Sequence, residues 1–150
     1  MKGTEDRKTT AMVAILSSNH LLRLGLQRIV ENENWIKLIG HAANAAALDD
    51  LLTRELPHIM IVDTEIANDV TGLIQKIKMM SPQIRVILLS ALQDSECTRQ
   101  AIDFGVDGIV LKVQPSAVLI ATIDYLSRLM TEGLPPNPAD DVGEWAISTR

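Results

Sequence analysis

A doubly wound α/β fold, with five parallel strands each followed by a helix around one open sheet, is what this sequence predicts. Short apolar runs alternate with longer amphipathic stretches, which is the sign of β-α-β units wound on a parallel sheet. The runs are also continuously apolar, as strands covered on both faces require. The chain has 150 residues, 47% of them hydrophobic, which is the size of one domain with a single sheet-centred core.

Met12-Val13-Ala14-Ile15-Leu16 reads as the first strand, ended by Ser17, Ser18 and Asn19. From His20 to about Glu31, Leu22, Leu26, Ile29 and Val30 recur at helical spacing, with Arg23, Gln27 and Arg28 on the other side. Trp35 to His41 gives a second strand, and the alanine-rich stretch from Asn44 to Leu56 a second helix, capped by Asn44 and closed by Pro57. His58 to Val62 is the third strand, running directly into Asp63 and a polar loop from Thr64 to Asp69. The third helix spans Val70 to Met80, the fourth strand Arg85 to Leu89 with Ser90 as its stop, and the fourth helix about Asp94 to Phe104. The turn Gly105-Val106-Asp107-Gly108 leads into strand five, Ile109 to Leu111, which ends at Lys112. Pro115 opens the fifth helix at a first-turn position, and Val118, Leu119, Ile123, Leu126 and Met130 form its apolar stripe.

Composition narrows the function. Net charge is −5 and the fourteen basic residues are scattered, so this stretch lacks the basic face that nucleic-acid affinity needs. Cys97, the one cysteine, forms no internal disulfide and offers no pair for zinc. It reads as an unreactive helix residue and points to a reducing cytoplasm. No apolar run approaches the ~20 residues of a membrane span. Residues 1–11 are polar and read as a disordered arm, leaving 12–131 as the domain. Residues 132–150, rich in proline, glycine and aspartate, read as a linker. Trp145 stands out there as an aromatic expected to dock on something.

In open parallel sheets, chemistry collects outside the carboxyl ends of the strands, where loops converge and helix N-termini aim their amides. Ser17 and Ser18, Asp63, Ser90 and Lys112 all land on that rim. An acid, a hydroxyl and an ammonium at the ends of three strands suit phosphoryl chemistry. Asp63 is the nucleophile that could accept the group, Ser90 a hydrogen-bond donor to one of its oxygens, and Lys112 a point charge beside another. His20, His41 and His58 show no metal-ligand spacing and read as solvent-facing or capping. Trp35 and the Met79-Met80 pair read as packing residues.

These motifs, Ile59-Met60-Ile61-Val62-Asp63, Val86-Ile87-Leu88-Leu89-Ser90-Ala91 and Gly105-Val106-Asp107-Gly108-Ile109-Val110-Leu111-Lys112, resemble those of receiver domains of bacterial response regulators, over about residues 12 to 130. The resemblance implies a flavodoxin-like (βα)5 fold. It implies that Asp63 is the phosphoacceptor, that Ser90 and Lys112 bind phosphate, and that Ala91 is the small residue beside the acceptor. The segment Asn19-His20-Leu21-Leu22-Arg23-Leu24-Gly25-Leu26 is similar to the start of helix one in the NarL/FixJ subfamily. That likeness implies a LuxR-type helix-turn-helix output domain beyond the linker.

The departures matter more. Where the family keeps two adjacent acids after strand one, this chain has Ser17 and Ser18. The aromatic switch position holds Ile109, the usual proline after the acceptor is Ala67, and the loop from Asp63 to Gly72 is one residue longer. Magnesium is held by carboxylates plus phosphate in near-octahedral geometry, and Asp63 alone offers one. An acidic pair, an acceptor and a lysine sum to about −2 and call for a divalent ion, whereas Asp63 and Lys112 sum to zero and can form an ion pair. Glu65 is a conceivable replacement carboxylate but reads as an exposed loop acid.

The expectation is therefore a regulatory module rather than an enzyme, a pseudo-receiver with magnesium binding weak or absent and Asp phosphorylation impaired. Its implied partners are a second copy of itself, a sensor histidine kinase, and DNA only through the C-terminal domain. The alternative is a conventional phosphoaccepting receiver using Asp63, stand-alone or in a phosphorelay. A flavodoxin-like cofactor-binding protein is the remote third reading, because Ser17-Ser18-Asn19 is too short and glycine-free to cradle a phosphate.

Overall fold

The computed structural model describes residues 10–66, 69–91 and 95–132, with backbone alone for 95–98 and 131–132. Residues 1–9, Ala67, Asp94 and the expected linker beyond 132, Trp145 included, lie outside the described residues, as does the side chain of Cys97.

The elements alternate as β1 (Ala11–Leu16), α1 (His20–Glu31), β2 (Ile36–Ala42), α2 (Ala45–Arg54), β3 (Ile59–Asp63), α3 (Val70–Met80), β4 (Arg85–Ser90), α4 (Ser95–Asp103), β5 (Gly108–Leu111) and α5 (Ser116–Glu132), with a 3-10 turn at Thr64–Ile66. All pairings are parallel, in the order β2-β1-β3-β4-β5. The doubly wound α/β class is therefore the observed one, with β3 at the centre. Boundaries shift by a residue or two. Ala11 belongs to β1 instead of the arm, because its amide donates to the Trp35 carbonyl at 2.9 Å. Helix α2 stops at Arg54, short of Leu56.

The continuous apolar runs divide between two cores because successive side chains of a strand point to opposite faces. Ala14, Leu16, Met60, Val62, Val86 and Leu88 pack against Leu48, Leu51, Leu52, Ile74 and Ile77 of α2 and α3. Val13, Ile15, Ile59, Ile61, Ile87 and Leu89 pack on the other face against Leu26 and Val30 of α1 and Leu119, Ile123 and Leu126 of α5. Gly40 is the residue that lets α2 approach β2, since a Cβ there would stand 2.6 Å from a methyl of Leu51. At the open edge, the Gln114 side chain accepts the Leu111 amide at 2.8 Å, covering a donor that would otherwise invite another strand.

The reading of the methionine pair as packing residues changes. Met79 and Met80 are 77% and 47% exposed. They fall on the solvent side of α3 because Val70, Leu73, Ile74 and Ile77 already fill its buried stripe. His58 is half-buried and caps a backbone amide, its Nδ1 accepting from Met12 at 3.1 Å where β1 and β3 begin. Trp35 is buried as expected.

Candidate functional site

The carboxyl ends of β1, β3 and β5 converge on one carboxylate. Asp63 closes β3 and is 1% exposed. Ser17 follows β1, held by the hydrogen bond its amide donates to the Ala42 carbonyl at 3.0 Å, and is fully buried. Its hydroxyl donates to Asp63 Oδ2 at 2.8 Å and accepts the Asn19 amide at 3.1 Å. Lys112 is drawn alongside β4 by the bond from its amide to the Ser90 carbonyl at 2.8 Å. Its Nζ lies 2.7 Å from Asp63 Oδ1. The Glu65 amide donates to that same oxygen at 3.2 Å.

Both oxygens of Asp63 are thus engaged by the protein's own donors. A carboxylate so deeply buried needs such partners, since an unpaired one costs several kcal/mol.

Glu65 departs from its reading as an unengaged loop acid. Its side chain is 64% exposed, yet Oε2 sits 3.1 Å from Lys112 Nζ. The zero balance expected of the site changes accordingly. Two carboxylates share one ammonium, leaving the group one charge negative. Burial pushes the Lys112 amine down, but its hydrogen bonds and charge contacts with Asp63 and Glu65 outweigh this, and the net shift is upward. The lysine stays charged across the physiological range.

The remaining rim residues divide. Ser90 is fully buried, and its hydroxyl donates to the Ala91 carbonyl at 3.0 Å. Ser18 is exposed, and Ala91 half-buried. Ile109 is buried in the core facing α2 and α3. Among the described residues no cluster of three histidine, cysteine or acidic side chains is placed to hold a metal ion, and no helix is long and apolar enough to cross a membrane.

Two residues that matter here escaped sequence reasoning. Arg23 reaches back from α1, donating through Nη1 to the Ser17 carbonyl at 2.7 Å, and so fixes the end of β1. Asp107 sits at the opposite end of the sheet, accepting from Lys78 at 2.7 Å, Arg85 at 3.4 Å and the Val86 amide at 2.7 Å. The signal for Arg23 was its place one turn after the N-cap. Asp107 carried no signal beyond its turn.

The chain matches the response regulator receiver domain family over residues 13–124, and it belongs to that family. Among curated proteins it is similar to the transcriptional regulatory protein RcsB of Escherichia coli K12, 26% identical over 106 residues, covering 67% of this chain and 49% of RcsB. It is likewise 26% identical over 116 residues to the uncharacterized transcriptional regulatory protein YesN of Bacillus subtilis, covering 76% of this chain and 32% of YesN. The chain spans about half the length of RcsB or less of such relatives. Among solved structures, RcsB of Salmonella enterica serovar Typhimurium bound to promoter rprA, in the presence of the phosphomimetic BeF3-, superposes with a TM-score of 0.76 at 20% identity, covering 94% of this chain and 69% of that one. The isolated REC domain of the same RcsB gives 0.70 at 20% identity, covering 88% and 97%. These structural likenesses establish the fold.

Proposed function

We propose that this chain is the regulatory receiver module of a response regulator that controls transcription through an attached LuxR-type DNA-binding domain, and that magnesium-dependent phosphorylation of Asp63 is impaired or lost. One observation carries the second half. Ser17 donates a hydroxyl to Asp63 at 2.8 Å where a metal-ligating acid would have to stand, so the carboxylate is satisfied without an ion. Ser17 and Ser18 supply no anionic oxygen for magnesium. Phosphoryl transfer leans on metal and ammonium to offset developing charge, and only Lys112 remains for that task. The relatives support the first half, since RcsB is a transcriptional regulatory protein and RcsB has been solved bound to promoter DNA. DNA would be reached only through the output domain, and two copies would pair as an isologous dimer.

The competing reading is a conventional receiver in which Asp63 attacks the phosphorus of a phosphohistidine or of acetyl phosphate. It is favoured by the retention of Asp63, Ser90 and Lys112 at their strand ends. Incubation with acetyl phosphate and magnesium, read by intact mass, separates the two. The double variant Ser17→Asp with Ser18→Asp should label at least about a hundredfold faster than the parent, a difference of about 2.7 kcal/mol in barrier. Equal labelling rates would sink the pseudo-receiver reading and leave the conventional one. Magnesium titration followed by amide shifts near Asp63 and Ser18 gives an independent check. The parent should show no saturation below tens of millimolar, roughly, for so few carboxylates.

A further inference from the structure

Lys112 has three N–H donors, and two of them already meet carboxylates. One points to Asp63, which is buried and held in place by Ser17. The other points to Glu65, which is exposed and belongs to the 3-10 turn Thr64–Ile66 that carries the chain away from β3. Glu65 folds back twice, with its amide on Asp63 Oδ1 at 3.2 Å and its carboxylate on Lys112 at 3.1 Å. A phosphoryl group on Asp63 would place new anionic oxygens within reach of the ammonium that stands 2.7 Å from Oδ1. The Glu65 carboxylate supplies an anion to that ammonium from the protein's own chain, with no covalent step.

We propose that Glu65 is an intrachain carboxylate latch. It occupies Lys112 as a phosphoryl oxygen would and pins the turn after β3 to the end of β5 in the unmodified protein. The proposal rests on the metal-independent reading of the site, and it adds the residue that sets the state of the loop. It has two consequences. The Glu65 link between the turn and Lys112 is an ion pair, so it weakens with salt. An anion arriving at Lys112 also competes with Glu65 for the ammonium.

The test uses the whole chain, labelled with nitrogen-15, in buffer free of metal and phosphodonor. Glu65→Gln keeps the length of the side chain and the backbone amide but removes the charge. Because Glu65 is mostly exposed, the variant should fold like the parent, and the amide spectrum verifies this. The Lys112 ammonium should exchange its protons about two- to fivefold faster in Glu65→Gln, the range that one partly exposed ion pair can confer. The Thr64, Glu65 and Ile66 amides should shift with it. Raising the salt to about 0.5 M should speed exchange in the parent and change the variant less. Glu65→Ala should reproduce both effects.

Unchanged Lys112 exchange in both variants would overturn the latch. So would faster exchange with no movement of the Thr64–Ile66 amides, since the turn would then be held by something else. Efficient labelling of the parent by acetyl phosphate would sink the metal-free reading while leaving the exchange result standing, so the two failures are distinct.

Discussion

At the scale of single residues, the site is an ion pair whose members are unequally buried. Asp63 is almost wholly enclosed, while Lys112 keeps 22% of its side chain in solvent. Removing the exposed member is therefore the harsher change, because it strands a buried carboxylate. Lys112→Met should destabilise the protein by about 3–5 kcal/mol, read as a shift in the urea midpoint at constant slope. Asp63→Asn should cost less, since its carbonyl oxygen can still accept from Ser17 or from the Glu65 amide and Lys112 keeps Glu65. Ser17→Ala removes a hydrogen bond to a charged group and should cost about 1.5–3 kcal/mol. The upward shift of Lys112 fixes the sign of the alkaline limb. A cation stabilised by folding contributes fully below its unfolded value and is lost as pH rises through the folded one. Stability should thus fall above about pH 10.4, and the fall should be shallower in Lys112→Met. An alkaline limb of the same steepness in that variant would contradict the assignment.

At the scale of elements, the first three helices each begin at a side-chain cap. The Asn19 and Asn44 side chains accept the Leu22 and Ala47 amides at 3.0 and 2.8 Å. Asp69 caps α3 through the Gly72 amide and the Thr71 hydroxyl, at 3.0 Å each, and these bonds lower its pKa. A depressed acid contributes stability that is present above its unfolded value and lost as pH falls through the folded one. Acidification should therefore fray the start of α3, and Asp69→Asn should remove that part of the pH dependence. Gly72 is needed beside this cap, because a Cβ there would collide with the Asp69 carboxylate. At the other end of the sheet, Asp107 ties α3, β4 and the turn before β5 through Lys78, Arg85 and the Val86 amide. Asp107→Ala leaves two partly buried cations and a strand amide without that acceptor, and should cost about 3 kcal/mol in denaturant unfolding. A loss below about 1 kcal/mol would mean that this staple is replaceable.

At the scale of the whole molecule, the sheet separates two apolar cores, and β3, buried along its whole length, joins them. The amides of Ile59 to Val62 should exchange with solvent only through global unfolding, ahead of those in the short edge strand β5. If the module works without phosphate, its associating surface must be presented in the unmodified state. Sedimentation at micromolar concentration should then find a dimer whose population does not respond to acetyl phosphate. A strict monomer, with or without the output domain, would count against that mode of action.

The five strands, their parallel pairing and the burial of both sheet faces were legible in the one-dimensional pattern, because burial on two faces demands unbroken apolar runs such as Met12 to Leu16 and Ile59 to Val62. The rim positions of Asp63, Ser90 and Lys112 followed from the same logic, since a strand's last residue is set by where its apolar run ends. Ser17 was legible only as a missing acid. That its hydroxyl takes up the very carboxylate it might have helped to load was decided by tertiary structure, because the bond spans β1 and β3, 46 residues apart. The same holds for Glu65, whose exposure disguised its contact with Lys112 47 residues away. Asp107, too, is a turn residue until α3 and β4 bring Lys78 and Arg85 against it. Local periodicity determines which faces are buried. It carries no information on which charges meet across the sheet, because that depends on the convergence of loops from strands distant in sequence.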